Sequence, residues 1–97
     1  MTSTFDKPDP LESALQSDIL DFALVRGWWA IKVVSPSMRG VMDLYALRRG
    51  RHIWIEAKRD ENTEPTDQQL KRHREVRAQG GEVYVVGSME RAREILK

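Results

Sequence analysis

Two short segments constrain this chain more than any other feature: Gly40-Val41-Met42-Asp43 and Ile55-Glu56-Ala57-Lys58. Residues 41–47 and 52–58 both read as strands, with Arg48-Arg49-Gly50-Arg51 as the turn between them. Aspartate is depleted in strands, yet Asp43 stands among Val41, Leu44 and Tyr45. Side chains two apart on a strand share a face, so Glu56 and Lys58 project together, roughly 7 Å apart. Ala57 points the other way, into a core, and can offer only its carbonyl. If Asp43 lies across the hairpin on the face of Glu56, two carboxylates, a carbonyl and an ammonium converge. Carboxylates that close repel unless a cation joins them, and oxygen ligands suit a hard ion such as Mg²⁺ or Mn²⁺. A lysine beside the ion can orient or help deprotonate an attacking water. A lone E-x-K would be an exposed ion pair worth under about 1 kcal/mol. Following G-x-x-D across a hairpin, it is a set suited to phosphodiester hydrolysis.

The rest of the chain supplies a frame for that hairpin. Asp9 is an N-cap, Pro10 takes the first helical position, and Leu11, Leu15, Ile19 and Phe22 make one apolar stripe. That helix should end near Arg26, with Gly27 as its left-handed terminal residue. Glu12, three residues after Asp9, fits a capping box. A first strand follows from about Trp29 to Val34, then a loop, Ser35 to Gly40. The tryptophans could stack on bases, but packing in a core or interface is the commoner fate. Arg59 to Pro65 reads as a charged, mobile connector that could close over a substrate strand. Thr66 caps a second helix running to Gln79, and Gln69 again fits a capping box. Leu70, His73, Val76 and Arg77 mark its inward side, with the arginine snorkelling. His73, with no serine or second histidine beside it, reads as a packed or hydrogen-bonded residue rather than a general base. Gly80-Gly81 ends the helix, residues 82–86 form a fourth strand returning parallel to its neighbour, and Ser88 caps a last helix, Met89 to Leu96.

At 97 residues the chain makes one domain, burying only about 60–65% of its unfolded surface. It has no cysteine, hence no disulfide, thiolate metal site or cysteine nucleophile. No apolar run could span a bilayer and the N-terminus lacks a signal-peptide core, so a cytoplasmic, intracellular protein is expected. Net charge is only +1, but its distribution is uneven. Residues 48–79 hold 9 Lys/Arg against 6 Asp/Glu, whereas residues 1–47 hold 4 against 6. A positive patch beside the acidic cluster can attract phosphate, and Arg39, Arg59, Lys71, Arg72 and Arg74 are its candidate contacts. A solvated helix face is the competing reading of the same charges.

Gly40, Asp43, Glu56-Ala57-Lys58 and then Gln69 resemble the PD-(D/E)XK nucleases, and more narrowly the VRR-NUC family. Members carry a helix-borne glutamate, a G-x-P-D segment, an E-x-K triplet and a glutamine. Glu12 lies at the place of the first, and Thr66-Asp67-Gln68-Gln69 matches the approach to the last. Met42 departs from the pattern, standing where proline is usual. The resemblance covers about the whole chain. It implies an α/β fold, the minimal restriction-endonuclease-like core, with a mixed four-stranded sheet in the order αβββαβα. A tail at 1–8 would precede one nuclease domain at 9–97. It further implies a Mg²⁺- or Mn²⁺-dependent endonuclease of phage or bacterial type, acting on branched DNA as a homodimer. Asp43 and Glu56 would hold the ion with the Ala57 carbonyl and Glu12, Lys58 would position water, and Gln69 would fix the lysine or water. Sheet edges and loop residues such as Met38 and Met42 would be left exposed in a monomer. Two other readings use the same residues: a nucleic-acid-binding module without catalysis, and an assembly subunit whose carboxylates only make ion pairs.

Overall fold

The computed structural model describes residues 9–97, and the tail expected at 1–8 lies outside the described residues. The elements run α1 (Pro10–Val25), β1 (Trp29–Lys32), β2 (Leu44–Arg48), β3 (Arg51–Ala57), α2 (Asp67–Ala78), β4 (Glu82–Val86) and α3 (Met89–Leu96). The strands form one sheet in sequence order, with β1–β2 and β2–β3 antiparallel and β3–β4 parallel. The hairpin is short enough to turn tightly, through Arg49 at φ 51° and Gly50 at φ 81°. The return to β4 must cross the sheet, and α2 makes that crossing, so β3 and β4 run in the same direction.

Alternation along the strands sets the two faces. Leu44, Ala46, Ile53, Ile55 and Ala57 are buried on one face, where Ile19 and Ala23 of α1 and Ala92, Ile95 and Leu96 of α3 join them. Leu15, Ile19 and Phe22 of the expected α1 stripe pack on the core, and only Leu11 departs from it. Leu11 is exposed, and Gln16 and Ala23 widen the buried side, because the helix packs on β1 and α3 together. Trp28 precedes β1 and goes into the core, where its indole Nε1–H donates to the Leu96 carbonyl at 2.8 Å. Trp29 points to the other face and stays 57% exposed, edge-on to Tyr45. The paired tryptophans thus divide between core and surface.

The opposite face carries Tyr45, Trp54 and Glu56, and α2 lies over its β3–β4 side. Three expectations shift here. Strand β2 begins at Leu44 rather than at residue 41, because Asp43 ends the ladder with its side chain. Asp43 N–H donates to the Ile55 carbonyl, but the Asp43 carboxylate, not a main-chain carbonyl, takes the Ala57 N–H. Leu70, expected on the inward side of α2, is 38% exposed, and His73 is the buried residue of that helix. Met42 is buried rather than exposed, whereas Met38 is exposed as expected.

The 59–65 connector is also tied down rather than loose. Asp60 Oδ1 accepts from Asn62 N–H and Thr63 Oγ1, and the Ser88 hydroxyl donates to Glu61. A methyl group on Gly87 would run into the Asp60 main chain, so the connector packs directly on the β4–α3 turn. Among the described residues, no helix is long and apolar enough to cross a membrane.

Candidate active site

The acidic residues meet where the β2–β3 hairpin opens. Asp43 is fixed by its 2.9 Å bond from Ala57 N–H, which holds its carboxylate over the end of β3. Glu56, next to Ala57, points to the α2 face and is 1% exposed. Lys58 follows on the same face, 6% exposed, with its main-chain N–H donating to Val86 of β4. Burial at this level is foreign to a surface ion pair. Indeed Glu56 and Lys58 are joined through a third residue.

That residue is Gln69. Its Oε1 accepts from Lys58 Nζ at 2.8 Å and from Thr66 N–H at 2.9 Å, while its Nε2 donates to Glu56 Oε2 at 3.2 Å. Two donors on one atom fix which end of the amide is oxygen, so the nitrogen must face the carboxylate. The capping box of α2 and the link between lysine and glutamate are therefore one structure, not alternatives. For Glu12 the outcome differs. Asp9 caps α1 by accepting from Leu11 and Glu12 N–H, and among the described residues Glu12 makes no return bond to Asp9. The Glu12 carboxyl instead lies half-buried in the field of Lys58 and Asp43.

His73, one helical turn after Gln69, reaches the same glutamate: its Nε2 lies 3.4 Å from Glu56 Oε1. It is fully buried. The signal that could have placed it here is its spacing of four residues from Gln69, which puts both on one face of α2.

The electrostatics follow from this burial. Loss of solvent, then the neighbouring Asp43 carboxylate, push the Glu56 carboxyl up to about 9, and Lys58 only partly opposes them. Burial likewise raises the Glu12 carboxyl, opposed by Lys58 and assisted by Asp43. Burial lowers His73, with the positive charges of Arg77 and Lys58 adding to the effect, so its imidazole is neutral.

A cation placed between the buried Glu56 and the part-buried Asp43 would offset both the lost solvation and the mutual repulsion that raise Glu56. Among the described residues, no three carboxylate or histidine side chains stand close enough to form a complete cage. Asp43 and Glu56 offer two oxygen ligands, which suits Mg²⁺ or Mn²⁺, ions that commonly keep water and substrate phosphate in their remaining positions. The donor set therefore fits a divalent metal.

The basic residues are disposed unevenly around the site. Arg39, Arg59, Lys71 and Arg74 are exposed. Arg72 is engaged, donating to the Arg39 carbonyl and to Glu75.

An open mixed sheet between helices, with an acid at one strand end and a buried E-x-K on the next, defines the restriction-endonuclease-like class of nuclease folds. No family model matches the chain. A solved structure described as "VRR_NUC domain" superposes with a TM-score of 0.81 and 31% identity, covering 90% of this chain and 95% of that one. A phage protein named "Putative nuclease p44", from Acyrthosiphon pisum secondary endosymbiont phage 1, is 36% identical over 85 residues. That match takes in 87% of this chain and 86% of the relative. The chain belongs to the VRR-NUC family of PD-(D/E)XK nucleases.

Proposed function

We propose that this protein is an intracellular, divalent-metal-dependent endonuclease that hydrolyses DNA phosphodiesters. One observation carries the reading: Asp43, Glu56 and Lys58 converge at the hairpin end, with Glu56 and Lys58 buried and bridged by Gln69. Neither a passive binding module nor an assembly subunit requires an interior lysine held beside two carboxylates.

In this reading Asp43 and Glu56 hold the ion, with the Ala57 carbonyl as a further oxygen donor. A divalent cation bound there supplies Lewis-acid polarisation of a phosphate oxygen. Lys58, oriented by Gln69, holds the attacking water and offsets negative charge as it builds on the phosphoryl group. Glu12, in the first turn of α1, adds negative potential near Lys58 and Asp43. Arg39, Arg59, Lys71 and Arg74 take the flanking phosphates, and Arg72 braces the 33–40 loop against α2 instead.

We further propose a homodimer acting on branched DNA. The support is the uncovered side of the sheet, where Trp29 and Ile31 of the edge strand are 57% and 42% exposed beside Tyr45. A two-fold pair of such domains presents two sites to a junction of approximate two-fold symmetry.

The test compares wild type, Asp43→Asn and Lys58→Met on labelled four-way junction, flap, linear duplex and single-stranded DNA, in Mg²⁺, Mn²⁺ or EDTA. Asparagine keeps an acceptor for the Ala57 N–H. Metal-dependent cleavage that falls by at least about 100-fold in both variants is expected. Variants cleaving at the wild-type rate would remove the assignment. Cleavage of forms other than the junction would keep the nuclease and discard the branched-DNA preference.

A further inference from the structure

We infer that His73 is a positioning residue for Glu56, setting the affinity of the acidic pair for its divalent cation; this rests on the metal-dependent reading above. Glu56 has two oxygens, and α2 supplies one donor to each. Gln69 Nε2 takes Oε2 at 3.2 Å and His73 Nε2 approaches Oε1 at 3.4 Å. Residues 69 and 73 are one helical turn apart, so a single rigid element holds both oxygens. The lone pairs left on the carboxylate are those directed away from α2, where Asp43 stands.

The tautomer of His73 follows from its surroundings. The ring is fully buried and its Nδ1 has no partner among the described residues. A proton on Nδ1 would bury an N–H without an acceptor, which is far rarer in proteins than a lone pair without a donor. The proton therefore sits on Nε2, facing Glu56 Oε1. The contact is long for a hydrogen bond, so its effect is on the direction of the carboxylate more than on its strength. Gln69 alone would leave Glu56 free to swing about one contact. The second contact removes that freedom before the ion arrives, and groups that orient metal ligands typically change metal affinity by about 10- to 100-fold.

The experiment measures Mn²⁺ affinity by titration calorimetry on the protein without DNA, for wild type, Glu56→Gln, His73→Phe, His73→Leu and His73→Gln. Glutamine restores an amide N–H close to the reach of Nε2, whereas phenylalanine and leucine keep apolar bulk without a donor. Circular dichroism confirms folding of each, and leucine stands in should phenylalanine not fit. Binding about tenfold weaker in the phenylalanine or leucine variant is expected. The glutamine variant should recover to within about threefold of wild type. In cleavage assays the larger part of the loss should appear in the Mn²⁺ concentration required, not in the rate at saturation. Folded His73 variants that bind Mn²⁺ as wild type does would overturn the inference, as would a glutamine variant as weak as leucine. Glu56→Gln binding as tightly as wild type, or wild type binding no Mn²⁺, would instead overturn the metal reading, and this inference with it.

Discussion

Lys58 donates to Gln69 Oε1 at 2.8 Å, and that same oxygen closes the capping box of α2 by accepting from Thr66 N–H. One atom thus ties the helix start to the buried lysine. The helix cannot shift its first turn without releasing Lys58, and Lys58 cannot move without loosening the helix.

The cap and the link to Lys58 separate by mutation. Thr66→Ala removes the hydroxyl that accepts from Gln69 N–H but leaves the main-chain donor to Oε1. It should cost about 1 kcal/mol in urea unfolding and leave DNA cleavage within about twofold. Gln69→Ala should cost a similar amount of stability and also reduce cleavage by about tenfold or more. Equal cleavage losses in the two variants would show that the cap, not the contact to Lys58 and Glu56, is what matters.

Gly40 is held at φ +78°, and a Cβ there would meet the Gln68 carbonyl oxygen at 2.8 Å. The contact seats the loop before Asp43 against the residue before Gln69. Gly40→Ala should therefore lower stability by about 2 kcal/mol, from backbone strain and the clash together. Chemical denaturation measures the first effect. A cleavage assay should show a loss as well, because both sides of the site move; an active, destabilised variant would mean the loop does not set the geometry of Asp43.

The raised Glu56 carboxyl makes a pH prediction of definite sign. Its folded-state value lies above the ordinary glutamate value of 4.5, so between that value and about 9 the native state holds a proton the unfolded state has lost. Stability of the metal-free protein should then fall as pH rises through this window. A decrease of about 5 °C in melting temperature corresponds to roughly 1 kcal/mol in a chain of this length. Saturating Mn²⁺ should flatten the slope, since the cation replaces the proton. Melting curves across the window in EDTA and in Mn²⁺ decide it; a flat EDTA series would show that Glu56 is ionised without help.

Far from the site, Trp28 ties the approach to β1 to the end of α3. Its indole N–H reaches the Leu96 carbonyl at 2.8 Å, and the Arg48 guanidinium lies 4.2 Å from its ring centre. Trp28→Phe should lower stability by about 2 kcal/mol, through the lost hydrogen bond and the space left behind. Cleavage per folded molecule, measured well below the melting transition, should hold. A rate loss at full folding would connect α3 to the site in a way its position gives no reason to expect.

Much of this arrangement was legible in the residues alone. The alternation of Ile53, Ile55 and Ala57 against Trp54, Glu56 and Lys58 assigned the two faces of β3, and Thr66 with Gln69 marked the start of α2. Local rules suffice there because strand pleat and helix caps act over four residues or fewer. They failed where a contact spans the chain. Nothing near Met42 or Leu70 says which of the two is buried, since that depends on elements packed over them from elsewhere. Asp43 reads as a strand residue, yet its side chain ends the ladder because Ala57, fourteen positions away, presents an N–H to it. The sequence by itself determined the elements, their order and the candidate acidic and basic residues. Only the tertiary structure decided that Glu56 and Lys58 are buried and bridged by Gln69, and that His73 faces the glutamate. The reason is that alternation and capping are local, whereas solvent exclusion and donor direction depend on how α2 lies across β3 and β4.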